Sequence, residues 1–169
     1  MLLRLFRLIV GNQSKLIGLI SSTDVLNYLN KITSPFILIG EIERAIRIIL
    51  SVSIPKAELL ELVKITLAKS YEPEDIPTSL KEMSFNDYKQ IICYGDAWHF
   101  FEKVFGPNRH HRNRTRTKLE EIRDIRNIVF HFKMEITQDE LQKLQDYRIW
   151  IKNAYTACIN IWRSDNNVQ

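Results

Sequence analysis

The spacing of apolar positions changes near residue 34. Before it come two short apolar runs, one ending at Val10 and one from Leu16 to Ile20. Turn-prone Gly11-Asn12-Gln13-Ser14 separates them, the pattern of a β-hairpin. Ser21-Ser22-Thr23-Asp24 then offers N-caps for a short helix through Leu29.

From Ser34 onward the period is helical. Pro35 suits a first turn, and Ile39, Ile42, Ile46, Ile49 and Leu50 fall on one face. A second helix starts at Ser53 and Pro55, and a loop follows from Tyr71 to Met83. Ser84 caps a third helix carrying Tyr88, Ile91, Ile92, Trp98, Phe101 and Phe105, bent at Gly95 and ended by Gly106-Pro107. Capping boxes at Thr117-x-x-Glu120 and Thr137-x-x-Glu140 open a fourth and a fifth helix. Leu119, Ile122, Ile125, Val129 and Phe132 are the buried stripe of the fourth. Short connections between five helices predict an all-α antiparallel bundle over residues 34–169, with a β-hairpin–helix appendage over 1–33.

Composition narrows the class. A chain of 169 residues with 45% hydrophobic and 26% charged residues can bury one ordinary core and is too balanced for disorder. Glu41, Glu43, Arg44 and Arg47 interrupt the apolar stretch from Phe36 to Ile54, so it is not a membrane span. The apolar, basic start lacks a small-residue cleavage site. Cys93 and Cys158 have no metal-ligand spacing and read as buried, reduced thiols. These features predict a soluble, cytoplasmic protein with no metal, no cofactor and no membrane partner. The net charge of +4 leans toward an anionic partner.

That charge is concentrated at one place. In Arg109-His110-His111-Arg112-Asn113-Arg114-Thr115-Arg116-Thr117-Lys118, five of ten residues are Lys or Arg. Read as a loop before the fourth helix, Arg109, Arg112, Arg114, Arg116 and Lys118 form an electrostatic footprint for RNA phosphates. His110 and His111 join that surface, because no Cys or carboxylate stands at ligand spacing beside them. His99 reads as a core-edge histidine.

The fourth helix carries the candidate chemistry. Asn127 and His131 lie roughly 40° apart on a helical wheel, and Arg126 sits at the seam with the apolar stripe. Metal-free RNA cleavage uses the 2′-hydroxyl as nucleophile and needs a base, an acid and positive charge at phosphorus. Histidine suits proton transfer near neutrality, and arginine offers a fork matched to phosphoryl oxygens. Asparagine can orient either neighbour. One histidine cannot comfortably serve as both acid and base, so the enzymatic reading requires a homodimer that apposes two copies of this helix.

At Leu119-x-x-Ile122-Arg123-x-Ile125-Arg126-Asn127-x-x-x-His131-Phe132 the sequence resembles the HEPN family of helical-bundle domains. The resemblance follows helix order from about Pro35 to Trp162. It implies a dimer with a composite cleft and metal-independent endoribonuclease activity, as in toxin or defence ribonucleases. It also implies an antitoxin or regulatory protein as partner. Lys133 stands where some members carry a modified tyrosine, so restraint by that modification does not follow. The contrasting expectation is a silent HEPN-like module that binds nucleic acid, nucleotide or protein. In the appendage, Leu16 to Leu26 resembles the second half of a CBS domain. That likeness implies a nucleotide contact at Ser21 and Asp24.

Overall fold

The computed structural model describes residues 7–12, 15–131 and 135–166, with side chains described from Ile20 onward. Gln13, Ser14, Phe132 and Lys133 lie outside the described residues. The chain is predominantly helical and divides into two compact units, Met1–Ile37 and Leu38–Gln169.

In the first unit, β1 (Arg7–Asn12) pairs antiparallel with β2 (Lys15–Ser21), with a register shift between Val10 and Gly11. Helix α1 then runs from Ser22 to Ser53. The pattern predicts a short helix to Leu29 and a new one from Ser34. The structure instead carries a single helix through Pro35. An interior proline removes one backbone donor and crowds the preceding turn, at a cost of about 3 kcal/mol. Two neighbouring hydroxyls engage that turn: Thr33 Oγ1 donates to the Leu29 carbonyl at 2.9 Å, and Ser34 Oγ to that of Asn30 at 2.6 Å.

The second unit holds the core. α1 contributes Ile39, Ile42, Ile46, Ile49 and Leu50, all fully buried. α2 (Lys56–Leu67) adds Val63 and Leu67. After a 3₁₀ turn at Pro73–Asp75, Ser84 caps α3 (Phe85–Ile92). Its hydroxyl accepts from the Asp87 amide, and the Asp87 carboxylate accepts from the Ser84 amide.

The expected long third helix is broken. The chain leaves α3 at Cys93, turns through Gly95, passes a 3₁₀ turn at Trp98–Phe100 and forms one further turn, α4 (Glu102–Phe105). A Cβ at Gly95 would lie 3.0 Å from Arg112 Nη1, the movable end of a long side chain. Trp98 and Phe101 are buried, as their spacing predicts, and Phe105 stacks on Trp98 and meets Trp150 of the last helix.

The largest departure concerns the basic segment. It is no loop: α5 runs from Arg109 to Phe130. Gly106 adopts a φ of 115°, open to glycine at little cost, and Asn108 caps the helix by accepting from the His110 and His111 amides. Thr117 is a mid-helix residue whose hydroxyl donates to the Asn113 carbonyl, four residues back. The sequence pattern hides this start because the first turns of α5 are almost wholly polar. Thr115 is nevertheless buried and extends the stripe of Leu119, Ile122, Ile125 and Val129 by one turn.

α6 (Gln138–Asn166) begins at the predicted capping box. Thr137 and Glu140 satisfy each other's amides. Contacts fix the helix directions. Lys118 and Glu121 of α5 face Trp150 and Tyr147 of α6, so these two run antiparallel. Glu41 and Ser53 of α1 face Arg148 and Cys158 of α6, so the first and last helices run parallel. A strictly antiparallel bundle is therefore not what forms. Cys93 and Cys158 are both free and buried. No described helix is long and apolar enough to cross a membrane.

Candidate functional site

Arg126, Asn127 and His131 occupy the last turn of α5. His131 is its C-cap, with φ −96° and ψ 5°, and its amide donates to the Asn127 and Val129 carbonyls. Its imidazole is exposed. Asn127 is half-buried, one turn below. Among the described residues neither the Asn127 amide group nor the His131 ring has a side-chain hydrogen bond.

Arg126 does something the sequence reading missed. On a wheel it falls within the buried face, about 20° from Thr115. A cation there needs a partner, since burying an unpaired charge is costly. The partner is Glu43 of α1: Arg126 Nε donates to Glu43 Oε1 at 2.7 Å. The side chains are 26% and 18% exposed. The guanidinium carbon also sits 4.8 Å from the centre of the Phe130 ring, at cation–π distance. This geometry commits one nitrogen and leaves the Nη edge of the fork for another ligand. An arginine on the core-facing side of a helix signals a carboxylate elsewhere. Spacing alone cannot choose between Glu41 and Glu43. Asp124, on the polar side of the helix, is held by Arg123 at 2.7 Å.

The five basic residues of the first turns split between two sides of α5. Arg109, Arg112 and Arg116 share the side that continues through Arg123 to Asn127 and His131. Arg116 Nη2 donates to the Cys93 carbonyl at 3.0 Å, at the end of α3. Arg112 reaches toward Gly95 with its Nε buried and without a hydrogen-bond partner among the described residues. Arg114 is exposed on the other side with Lys118, whose Nζ lies 4.4 Å from the centre of the Trp150 ring. Burial, with a smaller contribution from Arg114, lowers the Lys118 pKa below the ordinary lysine range.

Of the two histidines of this segment, His111 is tied to the start of α5. His111 Nδ1 lies 2.9 Å from Asn108 Oδ1, and its ring occupies the space that a Cβ at Gly106 would fill. His110 is exposed and packs edge-on against it. His99 is exposed too, with Nδ1 at 2.7 Å from the Asp96 carbonyl.

Ser21 and Asp24 hold each other. Asp24 Oδ2 accepts from the Ser21 amide at 2.8 Å and from its hydroxyl at 2.6 Å, closing a reciprocal cap on α1. The hydroxyl bond, then the amide bond, lowers the Asp24 pKa below the usual carboxylate range. Among the described residues no group of three His, Cys, Asp or Glu side chains is placed to hold a metal ion. Comparison of the chain with protein-family models, curated proteins and solved structures finds no match.

Proposed function

We propose that this protein is a dimeric, metal-independent endoribonuclease of the HEPN type, acting on single-stranded RNA. The observation that carries the reading is the end of α5, where an exposed imidazole follows an Arg-Asn turn whose guanidinium is held with its Nη edge uncommitted. In the reaction, His131 of one copy removes the proton from the 2′-hydroxyl. The 2′-oxygen attacks phosphorus, the bond to the 5′-oxygen breaks, and His131 of a second copy protonates the leaving oxygen. The products are a 2′,3′-cyclic phosphate and a 5′-hydroxyl end. Arg126 stabilises the charge on the pentacoordinate phosphorus, Asn127 orients the imidazole, and Glu43 positions Arg126. Arg109, Arg112 and Arg116 lie on the same side of α5 and track the backbone toward His131, a span of about 22 Å from Arg116 at 1.5 Å per residue. Arg114 and Lys118 serve a phosphate path around the helix rather than along it. In a toxin or defence setting, a regulatory protein would act by covering this end of α5.

A second reading has one observation in its favour. The Arg126–Glu43 pair is also what a purely structural arginine would make, and it fits a silent module that binds nucleic acid, nucleotide or protein. Incubating mixed RNA with wild type and His131→Ala in chelator separates the two. Chelator-resistant cleavage that leaves cyclic phosphate ends, spares DNA and disappears in His131→Ala supports the enzyme. RNA left intact by folded wild-type protein supports the silent module. Mixed dimers of wild type and His131→Ala test the composite site, since activity should then fall faster than simple dilution.

A further inference from the structure

We propose that the apolar groove between α2 and the turn at residues 96–100 docks a basic, amphipathic segment of a partner protein. Two depressions form it, of about 350 and 210 Å³, and both are lined by His99 and Phe100. The larger also takes Ala57, Leu62 and Ile65 of α2. The smaller is completed by Val52 of α1 and by Ile161 and Trp162 of α6. Their shared wall is fixed. His99 Nδ1 lies 2.7 Å from the Asp96 carbonyl oxygen, and the imidazole centre is 3.9 Å from that of the Phe100 ring.

Apolar side chains here stand in water although the core is already supplied. Val63 and Leu67 carry the buried face of α2. Ile65 lies about 200° round the helix from Val63, and it is 59% exposed. Across the shared wall, Trp162 of α6 is 49% exposed. An outward apolar strip with two depressions is the form of a groove that takes the apolar face of a helix.

Charge selects the occupant. Glu58, Glu61 and Asp96 edge the larger depression, whose lining includes no Lys or Arg. Lys64 answers Glu61 at 2.8 Å. Glu58 and Asp96 are exposed and form no ion pair with a described residue. In the smaller depression Lys103 and Asp165 offset each other. The groove is thus edged with negative charge on a chain whose net charge is +4. Carboxylates repel phosphate, so neither a nucleic acid nor an anionic lipid surface suits it. The most basic segment of a second copy, residues 109–118, has no large apolar side chain to anchor it. A partner segment with apolar side chains one helical turn apart, and Lys or Arg beside them, meets both features. The groove adjoins the residues that lead into α5, whereas His131 caps the other end of that helix, about 33 Å on. The inference therefore does not rest on ribonuclease activity.

The test uses the full chain and a labelled peptide of about four helical turns, built from leucine and lysine with the leucines on one face. Two control peptides carry glutamate for lysine, or serine for leucine. Fluorescence anisotropy should show saturable, salt-sensitive binding of the leucine–lysine peptide, with each control weaker by about tenfold or more. Ile65→Ser, at an exposed position, should weaken binding by a similar factor at unchanged melting temperature. Glu58→Lys should weaken it several-fold and lessen its salt dependence. Equal binding of the glutamate peptide, or indifference to both Ile65→Ser and Glu58→Lys, would overturn the proposal. Self-association of the chain in sedimentation that Ile65→Ser abolishes would also overturn it, by giving the groove to a second copy.

Discussion

Arg126 Nε donates to Glu43 Oε1 at 2.7 Å, so the arginine at the centre of the candidate motif is also a tie between α5 and α1. Its two roles can be separated. Arg126→Ala removes the tie and leaves Glu43 as a mostly buried carboxylate without a partner, which should cost about 1–2 kcal/mol. For a chain of this size that lowers the melting temperature by roughly 2–8 °C. Glu43→Gln should destabilise to a similar degree, and its activity should fall because the guanidinium is no longer held. The double variant Arg126→Ala, Glu43→Gln should cost less stability than the two single changes combined. Additive losses in melts would show that the pair contributes nothing.

The start of α5 offers a cleaner stability test. Asn108→Ala removes the acceptor for two backbone amides and for His111 Nδ1, and should cost about 1 kcal/mol. Gly106→Ala should cost more. It forces an L-side chain into a φ of 115° and places a Cβ 2.3 Å from the His111 ring. Denaturant midpoints for the two variants check the ranking, and an Asn108→Ala as stable as wild type would mean the basic segment is not capped there.

Acid and alkaline limbs of the stability curve should both pass through one contact, Tyr147 Oη donating to Glu121 Oε2 at 2.7 Å. That bond, followed by the one from Lys143, lowers the Glu121 pKa below its ordinary 4.5. A depressed carboxylate contributes stability that is present above the unfolded value and lost as pH falls through the folded one. Burial first, then Glu121, pushes the Tyr147 phenol from 10.0 up to about 12. Its contribution is complete below the unfolded value and is lost as pH rises toward about 12. Tyr147→Phe should therefore flatten the melting-temperature profile below about pH 4.5 and above about pH 10. An unchanged profile would count against the contact.

RNA affinity should depend on the basic residues unequally. Arg114→Ala and Arg109→Ala alter exposed side chains, so each should reduce the salt slope of RNA binding by about 1 and leave the melting temperature alone. Arg116→Ala should reduce the slope and also lower stability, because it strips the Cys93 carbonyl of its donor. Filter binding across a salt series with parallel melts distinguishes them. Identical slopes in all variants would remove α5 from the RNA path.

Much of the second unit was legible from period alone. Ile39, Ile42, Ile46, Ile49 and Leu50 recur at helical spacing because one face of α1 must leave water, and all are fully buried. Ser84 and the Thr137–Glu140 pair announce their helices because a hydroxyl or carboxylate there answers amides that the helix leaves unpaired. The spacing of Arg126-Asn127-x-x-x-His131 on one helix is also read from the sequence, whereas the end of that helix at His131 is not. Other features required tertiary information. Hydrophobic pattern is silent where a helix is polar, so the first turns of α5 read as a loop until Thr115 is seen buried and Asn108 seen capping. Local rules stop a helix at Pro35, whereas the folded chain carries α1 through it, with Thr33 and Ser34 engaged along the preceding turn. The choice of Glu43 for Arg126 was beyond sequence altogether. It depends on how two helices 83 residues apart along the chain are rotated against each other, and a one-dimensional pattern does not contain that angle.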